Sequence, residues 1–302
     1  MTKVAIMKRR LLVLFIALSL VLFILSGCTK RYKKVSLSDD FSLREMLMRY
    51  INNDTAVDYC AERVFPDTLP MYQISPRNIT DSEYRETLEM LGIKETELPK
   101  QWINLDGNKL KIDLDDIFTS SRGYFDMTEE ELEKKAREIF AKLPFVHGEY
   151  EYIGMRATYK TTDSEGEHID SAAGCFCRVV NGIRVVGHDA CYLYFDGSGL
   201  VSLVAEVYDY EEIGSMDIYP LQSAINRIAS PDSFRVEEAS AQIGVAKTLN
   251  VENAVIRYVN QLSQGCEILE PVYVFMGTAI DSEDNEADFT SIVIAIPDSF
   301  LE

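Results

Sequence analysis

The most strongly apolar part of the chain lies near its start. Residues 11–25 (LLVLFIALSLVLFIL) contain no charged side chain. They follow a Lys-Arg-Arg run at residues 8–10 and precede the small residues Ser26 and Gly27. A basic start, an apolar middle and small residues before a cleavage point are typical of a secretory signal peptide. The pattern therefore predicts a signal peptide over residues 1–27 and an exported mature chain.

Apolar residues spaced three and four apart predict helices in the rest of the chain. Thr80 and Glu83 form a capping box ahead of one such stripe, and Thr128 and Glu131 form another. The glutamates that follow Thr128 suit the positive end of a helix dipole, so they are interpreted as capping residues and not as catalytic acids. The predicted helices begin near Ser42 and near Thr80, and cover residues 128–143 and 220–229.

From residue 149 onward the pattern is that of strands. Asn181-Gly182 is the pair preferred in a two-residue hairpin turn, and turn residues recur at 196–199. An earlier hairpin over residues 102–114 is predicted to turn at Asp106-Gly107. The predicted strands are 175–180, 183–195 and 200–208, which form an antiparallel meander, and later 252–261, 271–280 and 289–296.

Strands and helices do not alternate strictly, which predicts an α+β fold of antiparallel sheets packed with a few amphipathic helices. We expect a polar tether over residues 28–40, an N-terminal α+β subdomain over 41–118 and a C-terminal α+β domain over 119–302. The segment 119–127 is the expected boundary between the last two.

Charge limits the classes of partner. The 302 residues carry 49 acidic and 30 basic side chains. Without residues 1–27, which hold four of the bases and no acid, the net charge is −23. Such a body repels nucleic acid and anionic lipid, so we expect no nucleic acid partner. The short basic run at residues 30–34 is the exception, because it would lie against anionic headgroups.

The cysteines raise the question of a metal site. An exported chain permits disulfides, but five cysteines remain after Cys28 and their spacing forms no framework. If the hairpin at Asn181-Gly182 continues as one long strand, Cys175 lies opposite His188 and shares a sheet face with Cys177, while Cys191 points to the other face. That set lacks a fourth ligand, and buried free cysteines are common, so no metal site is predicted.

No catalytic motif stands out. The sequence contains no HExxH, no GxSxG and no P-loop. The acidic segment 281–288 fails as an EF-hand, because Glu286 stands where glycine is needed and Ile292 where the bidentate glutamate is needed. We interpret it as a solvated hairpin loop. No catalytic residue and no cofactor are predicted.

The end of the apolar run carries a specific resemblance. Leu25-Ser26-Gly27-Cys28 resembles the lipobox of bacterial lipoproteins, [LV]-[AST]-[GA]-C. In that family the cysteine thiol receives diacylglycerol and the chain is cut before it. The resemblance implies lipidation of Cys28 and attachment to membrane lipid on the extracytoplasmic face. The alternative is a retained transmembrane helix, for which the 17 apolar residues of 11–27 are a minimal length.

The C-terminal part has a second resemblance. A helix at 128–143, the Asn181-Gly182 hairpin and the late segment Glu270-Pro271-Val272-Tyr273 resemble the YycH/YycI group of Gram-positive two-component regulatory proteins, and PepSY-like modules more broadly. Members of that group restrain a sensor kinase from outside the membrane, partly through a transmembrane helix. This chain has a lipobox in place of that helix, so contact through the folded domain is what the resemblance implies.

The sequence thus favours a non-enzymatic interaction or regulatory lipoprotein of the cell envelope, with an envelope or membrane protein as partner. A ligand-binding lipoprotein that serves a transporter is the alternative. An envelope hydrolase is the third possibility, and it lacks a visible nucleophile or metal set.

Overall fold

The computed structural model describes nine segments of the chain. They are residues 56–59, 64–94, 103–114, 127–163, 166–187, 189–228, 234–236, 246–260 and 267–296. The predicted signal peptide (1–27), the tether (28–40) and the helix near Ser42 lie outside them.

Three helices and fourteen strands are present in the described segments. The helices are α1 (Asp81–Met90), α2 (Glu129–Phe140) and α3 (Leu221–Asn226). The strands are β1 (Ala56–Tyr59), β2 (Thr68–Pro76), β3 (Ile103–Asp106), β4 (Lys109–Asp113), β5 (Glu149–Asp163), β6 (Gly166–Val180), β7 (Ile183–Gly187), β8 (Ala190–Asp196), β9 (Gly199–Glu206), β10 (Tyr208–Asp217), β11 (Phe234–Val236), β12 (Ala246–Asn260), β13 (Glu270–Asp281) and β14 (Glu286–Ile294).

Twelve of these strands form one sheet with a narrow waist. On one side the order is β5-β6-β8-β9-β4-β3, all antiparallel, and we call this the first half-sheet. On the other side lie β11-β14-β13-β12, with β1 parallel to β12; this is the second half-sheet. Among the described strands, β7 alone joins them, with two paired residues on β6 and three on β12.

Helices α1 and α2 cover one face of the first half-sheet. Both begin with the predicted capping boxes, at Thr80 and at Thr128. Leu88 of α1 and Leu132 of α2 are buried in one apolar core with residues of the sheet. The ring of Phe140 stacks on that of Phe176 with 4.0 Å between centroids. This core therefore depends on the amphipathic faces that the sequence predicted.

The second half-sheet has a separate core beneath α3. Ala224, Ile225 and Ile228 pack there against Leu249 and Phe275, and all five are buried. Helix α3 is short and begins after Pro220, whose fixed φ suits a helix start. The two half-sheets thus bury their apolar faces independently of each other.

Strands β2 and β10 form a two-stranded antiparallel ribbon at the waist. Residues of the ribbon pack on Val185 of β7 and on Tyr258 of β12 in a third apolar cluster. The rings of Tyr72 and Tyr258 meet edge to face at 5.8 Å. The ribbon therefore covers the strand that connects the two halves of the sheet.

The α+β class, the two capping boxes and the late strands are confirmed, with some boundaries moved. Helix α2 ends at Phe140, three residues before the predicted end, although Leu143 is buried as expected. The hairpin between β3 and β4 turns at Gly107-Asn108, one residue later than predicted, because Asp106 pairs with Lys109. The N-terminal strands β1 and β4 pair with β12 and β9, so hydrogen bonds link both sides of the expected boundary at 119–127.

The predicted strand over residues 183–195 is wrong as a single element. It breaks at Gly187, which has φ of +105°, and gives two strands with different partners. At Gly187 the backbone carbonyl of Asn260 lies 3.0 Å from where a Cβ would stand. Glycine is required there, because a side chain would be strained at that φ and crowded by the neighbouring strand. The meander is therefore β6-β8-β9, and β7 leaves it for β12.

Replacement of Gly174 by alanine tests how α2 lies on the first half-sheet. A Cβ at position 174 would lie 2.7 Å from the Cβ of Ala136, so the helix would have to move. We expect Gly174→Ala to lower the free energy of unfolding by about 1–3 kcal/mol, measured by urea unfolding. The control is Gly174→Ala with Ala136→Gly, which restores the space. The double variant should lose less than the sum of the two single losses, and additive losses would contradict this packing.

Candidate functional site

Asp189 is the centre of a buried polar cluster at the waist of the sheet. It follows the break at Gly187 and precedes β8, and it is 1% exposed. The hydroxyl of Tyr150 donates to its Oδ1 at 3.0 Å, and the hydroxyl of Tyr210 donates to its Oδ2 at 2.7 Å. Tyr150 belongs to β5 and Tyr210 to β10. One carboxyl group therefore ties the first half-sheet to the ribbon.

Arg178 of β6 lies against both tyrosine rings. Its guanidinium carbon is 5.3 Å from the ring centre of Tyr150 and 5.9 Å from that of Tyr210. Nη1 donates to the backbone carbonyls of His147 at 2.7 Å and Glu149 at 3.2 Å. Gly148 has φ of +87°, a backbone conformation that favours glycine, and a Cβ there would also lie 1.6 Å from Nη1 of this guanidinium. Arg178 is thus fixed by stacking and by two hydrogen bonds.

The cluster extends to the second half-sheet through Asn260 of β12. Its side chain is buried, and Nδ2 donates to the hydroxyl of Tyr210 at 3.3 Å. Nearby, the hydroxyl of Tyr208 donates to Glu206, which also pairs with Lys109 at 3.2 Å. We call Asp189, Tyr150, Tyr210, Arg178 and Asn260 the Asp189 cluster. Its members come from the first half-sheet, the ribbon and the second half-sheet.

Burial is the largest cause of the pKa shifts of Asp189, Tyr150 and Tyr210. Burial raises the pKa of Asp189 to about 6, against the opposing effects of the Tyr210 and Tyr150 hydroxyls and of Arg178. Glu206 adds to the increase. Burial and the Asp189 charge also raise the pKa values of Tyr150 and Tyr210 far above the ordinary tyrosine value. The group that exchanges a proton near neutral pH is therefore Asp189, while both phenols keep theirs.

Both tyrosines begin the same short sequence, a repeat that the helix, strand and motif patterns do not indicate. Residues 150–154 read Tyr-Glu-Tyr-Ile-Gly and residues 210–214 read Tyr-Glu-Glu-Ile-Gly. In each copy the isoleucine is the extra residue of a β-bulge, and the following glycine has positive φ, +112° at Gly154 and +151° at Gly214. The repeated pattern Y-E-x-I-G is thus the signal in the sequence that relates these two strands.

The predicted opposition of Cys175 and His188 is wrong, because the break at Gly187 shifts the partner strand. Cys175 lies opposite Tyr192 and Cys177 opposite Ala190. His188 itself lies outside the described residues. Cys191 lies opposite Phe176 and so faces the helix-covered core, the other face from Cys175, as predicted. Across the described segments no three metal-binding side chains come together.

The acidic turn between β13 and β14 is a hairpin loop, as predicted. Asp281 is buried and accepts hydrogen bonds from the backbone N–H groups of Glu283 and Asn285, at 2.8 and 3.0 Å. The Asn285 side chain donates to its second oxygen at 3.0 Å. Residues 282–286 are exposed. The Asp281 carboxylate thus organises the turn.

A shallow groove of about 350 Å³ lies at the end of α1, lined by Arg85, Leu88, Glu89, Gly92, Ile93 and Lys94.

In the part of the chain that the structure describes, no helix is both long enough and apolar enough to span a bilayer. Cys28, the predicted lipidation site, lies outside that part.

No protein-family model matches the chain, and no curated protein sequence matches it.

Arg178→Lys tests the geometry of the Asp189 cluster. A lysine keeps the charge but cannot stack on two rings and reach two carbonyls together. We expect a loss of about 1–3 kcal/mol in the free energy of unfolding, measured by urea unfolding. Arg184→Lys is the matched control, because Arg184 forms a partly exposed, two-point ion pair with Glu151, whose loss should cost less than about 1 kcal/mol. Equal losses in both variants would contradict the proposed role of Arg178.

The thiols of Cys175, Cys177 and Cys191 provide a second test, since all three are buried and none is in a disulfide. Burial raises the pKa of Cys177 to about 11 and that of Cys191 further still. We expect none of the three to react with a maleimide in the folded protein at neutral pH, because the thiolate is the reactive form. All three should react in urea, as measured by peptide mass mapping. Labelling of any of these thiols in the folded protein would contradict its burial.

Proposed function

We propose that the protein is a lipid-anchored protein of the bacterial cell envelope that acts by binding another protein and not by catalysis. It would be held at the extracytoplasmic face of the membrane by lipid on Cys28. Its specific role would be to modulate a membrane partner, such as the sensor of a two-component system. The alternative is a ligand-binding lipoprotein that serves a transporter.

The anchor rests on Leu25-Ser26-Gly27-Cys28 and its position after a basic start and an apolar run. The mature chain would carry a net charge of −23, which repels anionic headgroups and favours a body that stands away from the membrane surface. The basic residues just after Cys28 would strengthen the anchor, at about 1 kcal/mol per charge. These features favour a tethered body that reaches a neighbouring protein.

The single observation that favours a non-catalytic role is the position of Asp189. A carboxyl group with a raised pKa beside two phenols is what a proton-transfer site needs. Here that carboxyl is 1% exposed, and both of its oxygens accept hydrogen bonds from the protein's own tyrosines. A substrate cannot reach this carboxyl group. We therefore assign it a structural role at the joint between the half-sheets, which consists of β7 and the Asp189 cluster.

The sheet arrangement favours the interaction role over the transporter role. Transport receptors commonly consist of two α/β lobes, whose sheets are parallel. In this protein the ladders within the first half-sheet are antiparallel, and β12 is the strand with parallel partners, β1 and β7. The resemblance to YycH/YycI proteins points the same way and suggests the regulatory partner.

The anchor is tested by Cys28→Ser. We expect this variant to lose labelling by a fatty acid analogue, because the sulfur that would be acylated is gone. Ser26→Ala is the matched control, since alanine also fits the lipobox, and it should keep both labelling and membrane association. Residues 1–27 still present in a wild-type protein that carries no label would instead indicate a retained transmembrane helix.

The partner is tested by cross-linking in intact cells, followed by mass spectrometry of the recovered proteins. We expect a sensor kinase or an envelope assembly protein, recovered from cells with the wild-type chain and lost with Cys28→Ser. Recovery of a transporter permease would support the ligand-binding alternative and overturn the regulatory proposal.

A further inference from the structure

The strand pairing that links the two half-sheets involves few residues. Strand β7 has five residues, and its ladders comprise two paired positions on β6 and three on β12. Each half-sheet has its own apolar core, so neither needs the other to bury its helix-covered face. Among the described residues, contacts across the waist also include the third apolar cluster, the Asp189 cluster, and Arg77 at the end of the ribbon, which donates to the backbone carbonyls of Val207 and Phe145. The Asp189 carboxyl group is thus an ionisable group within this joint.

We propose that the Asp189 cluster is a proton-sensitive joint, in which uptake of a proton by Asp189 strengthens the closure of the ribbon and the second half-sheet on the first half-sheet. The proton comes from solvent and stays on one carboxyl oxygen. That oxygen then donates to one tyrosine hydroxyl, while the other tyrosine keeps donating to the second oxygen. Both contacts survive, and the cost of a buried charge is removed. The proposal does not depend on the lipid anchor or on the partner.

The groups around Asp189 determine the sign of the effect. Burial and the Glu206 carboxylate favour the protonated form, whereas the two tyrosine hydroxyls and the Arg178 guanidinium favour the charged form. Burial is the largest of these, so the closed joint holds the proton more tightly than an open, hydrated joint would. The titratable and charged groups on the surrounding strands that interact electrostatically with Asp189 are Tyr150, Cys177, Arg178, Cys191, Glu206, Tyr208 and Tyr210.

The pH range over which closure changes follows from the difference between the pKa of Asp189 in the closed joint and its pKa in the open joint. In the closed joint the pKa of Asp189 is about 6, and in an open, hydrated joint it would be the ordinary value of about 3.9. The closed form therefore binds more protons between these values, and closure strengthens as the pH falls through about 6. Between about pH 7.5 and about pH 5 the closing equilibrium should rise about tenfold. Glu83 and Glu131 have lowered pKa values, so they titrate below this window.

The experiment is hydrogen exchange of the full-length protein in detergent micelles, read at the amides of β7 and β10. Rates are divided by the intrinsic rate of each amide at each pH. We expect protection of these amides to increase about tenfold between about pH 7.5 and about pH 5. Amides of β13, inside the second half-sheet, provide the internal control and should show no such increase. Unchanged or falling protection in β7 and β10 would overturn the proposal.

Asp189→Asn assigns the effect to one residue. The amide resembles the protonated carboxyl in shape and cannot titrate, so protection should no longer change with pH and should already be high at about pH 7.5. Asp209→Asn is the matched control, because Asp209 is exposed and adjacent to Tyr210 on the same strand. It should keep the wild-type pH dependence. Persistence of that dependence in Asp189→Asn would overturn the proposal.

A third measurement remains valid if Asp189→Asn fails to fold. The carboxyl ¹³C resonance of Asp189 in the wild-type protein should titrate with a midpoint near pH 6. Tyr210→Phe removes a hydroxyl that stabilises the charged form, so it should move the midpoint upward. It should also move the pH at which β7 protection rises. A midpoint near the ordinary aspartate value, or one that Tyr210→Phe leaves in place, would contradict the mechanism.

Discussion

The carboxyl group of Asp189 is buried from water, and the surrounding protein supplies the hydrogen bonds that water would otherwise donate to it. Two tyrosine hydroxyls satisfy its two oxygens, and a guanidinium lies against the rings that carry them. A buried carboxylate without such partners costs several kcal/mol, so each partner strand must stay in register for the fold to persist. The Asp189 carboxyl group therefore links β10 to β5, which a long antiparallel ladder already pairs with β6.

The same constraint explains several local features that look unrelated. Gly187 turns the chain so that Asp189 enters the waist, and Gly148 leaves room for the guanidinium of Arg178. The two Ile-Gly bulges follow the tyrosines at the same distance in each strand. Bulges re-aim a strand locally. We infer that these bulges let two strands from different sheets direct a tyrosine at one carboxyl group.

Much of the fold was predictable from the sequence, and the joint was not. The capping boxes at Thr80 and Thr128 and the hairpin at Asn181-Gly182 are local signals, and each specified its element correctly. The break at Gly187 was missed because the flanking residues have strand character and the change of partner is a tertiary event. The false opposition of Cys175 and His188 came directly from that unbroken strand.

The Asp189 cluster was missed for a different reason. Its five members lie on five parts of the chain, from residue 150 to residue 260, and no spacing rule connects them. Asp189 itself lies beside strand residues and two residues after Gly187, where an aspartate is typical of a turn. The repeated Tyr-Glu-x-Ile-Gly sequence was the one available signal, and it gains meaning only when both copies are seen to face the same carboxyl group.

The position of β1 determines how a pull from the membrane would enter this fold. As the first described element after the predicted tether, β1 is parallel to β12 over four residue pairs in the second half-sheet. Tension from a lipid at Cys28 would therefore load the second half-sheet first. It would reach the first half-sheet across β7, the ribbon, the Asp189 cluster and the other contacts of the waist. A partner that binds the first half-sheet would therefore place the waist of the sheet between itself and the membrane.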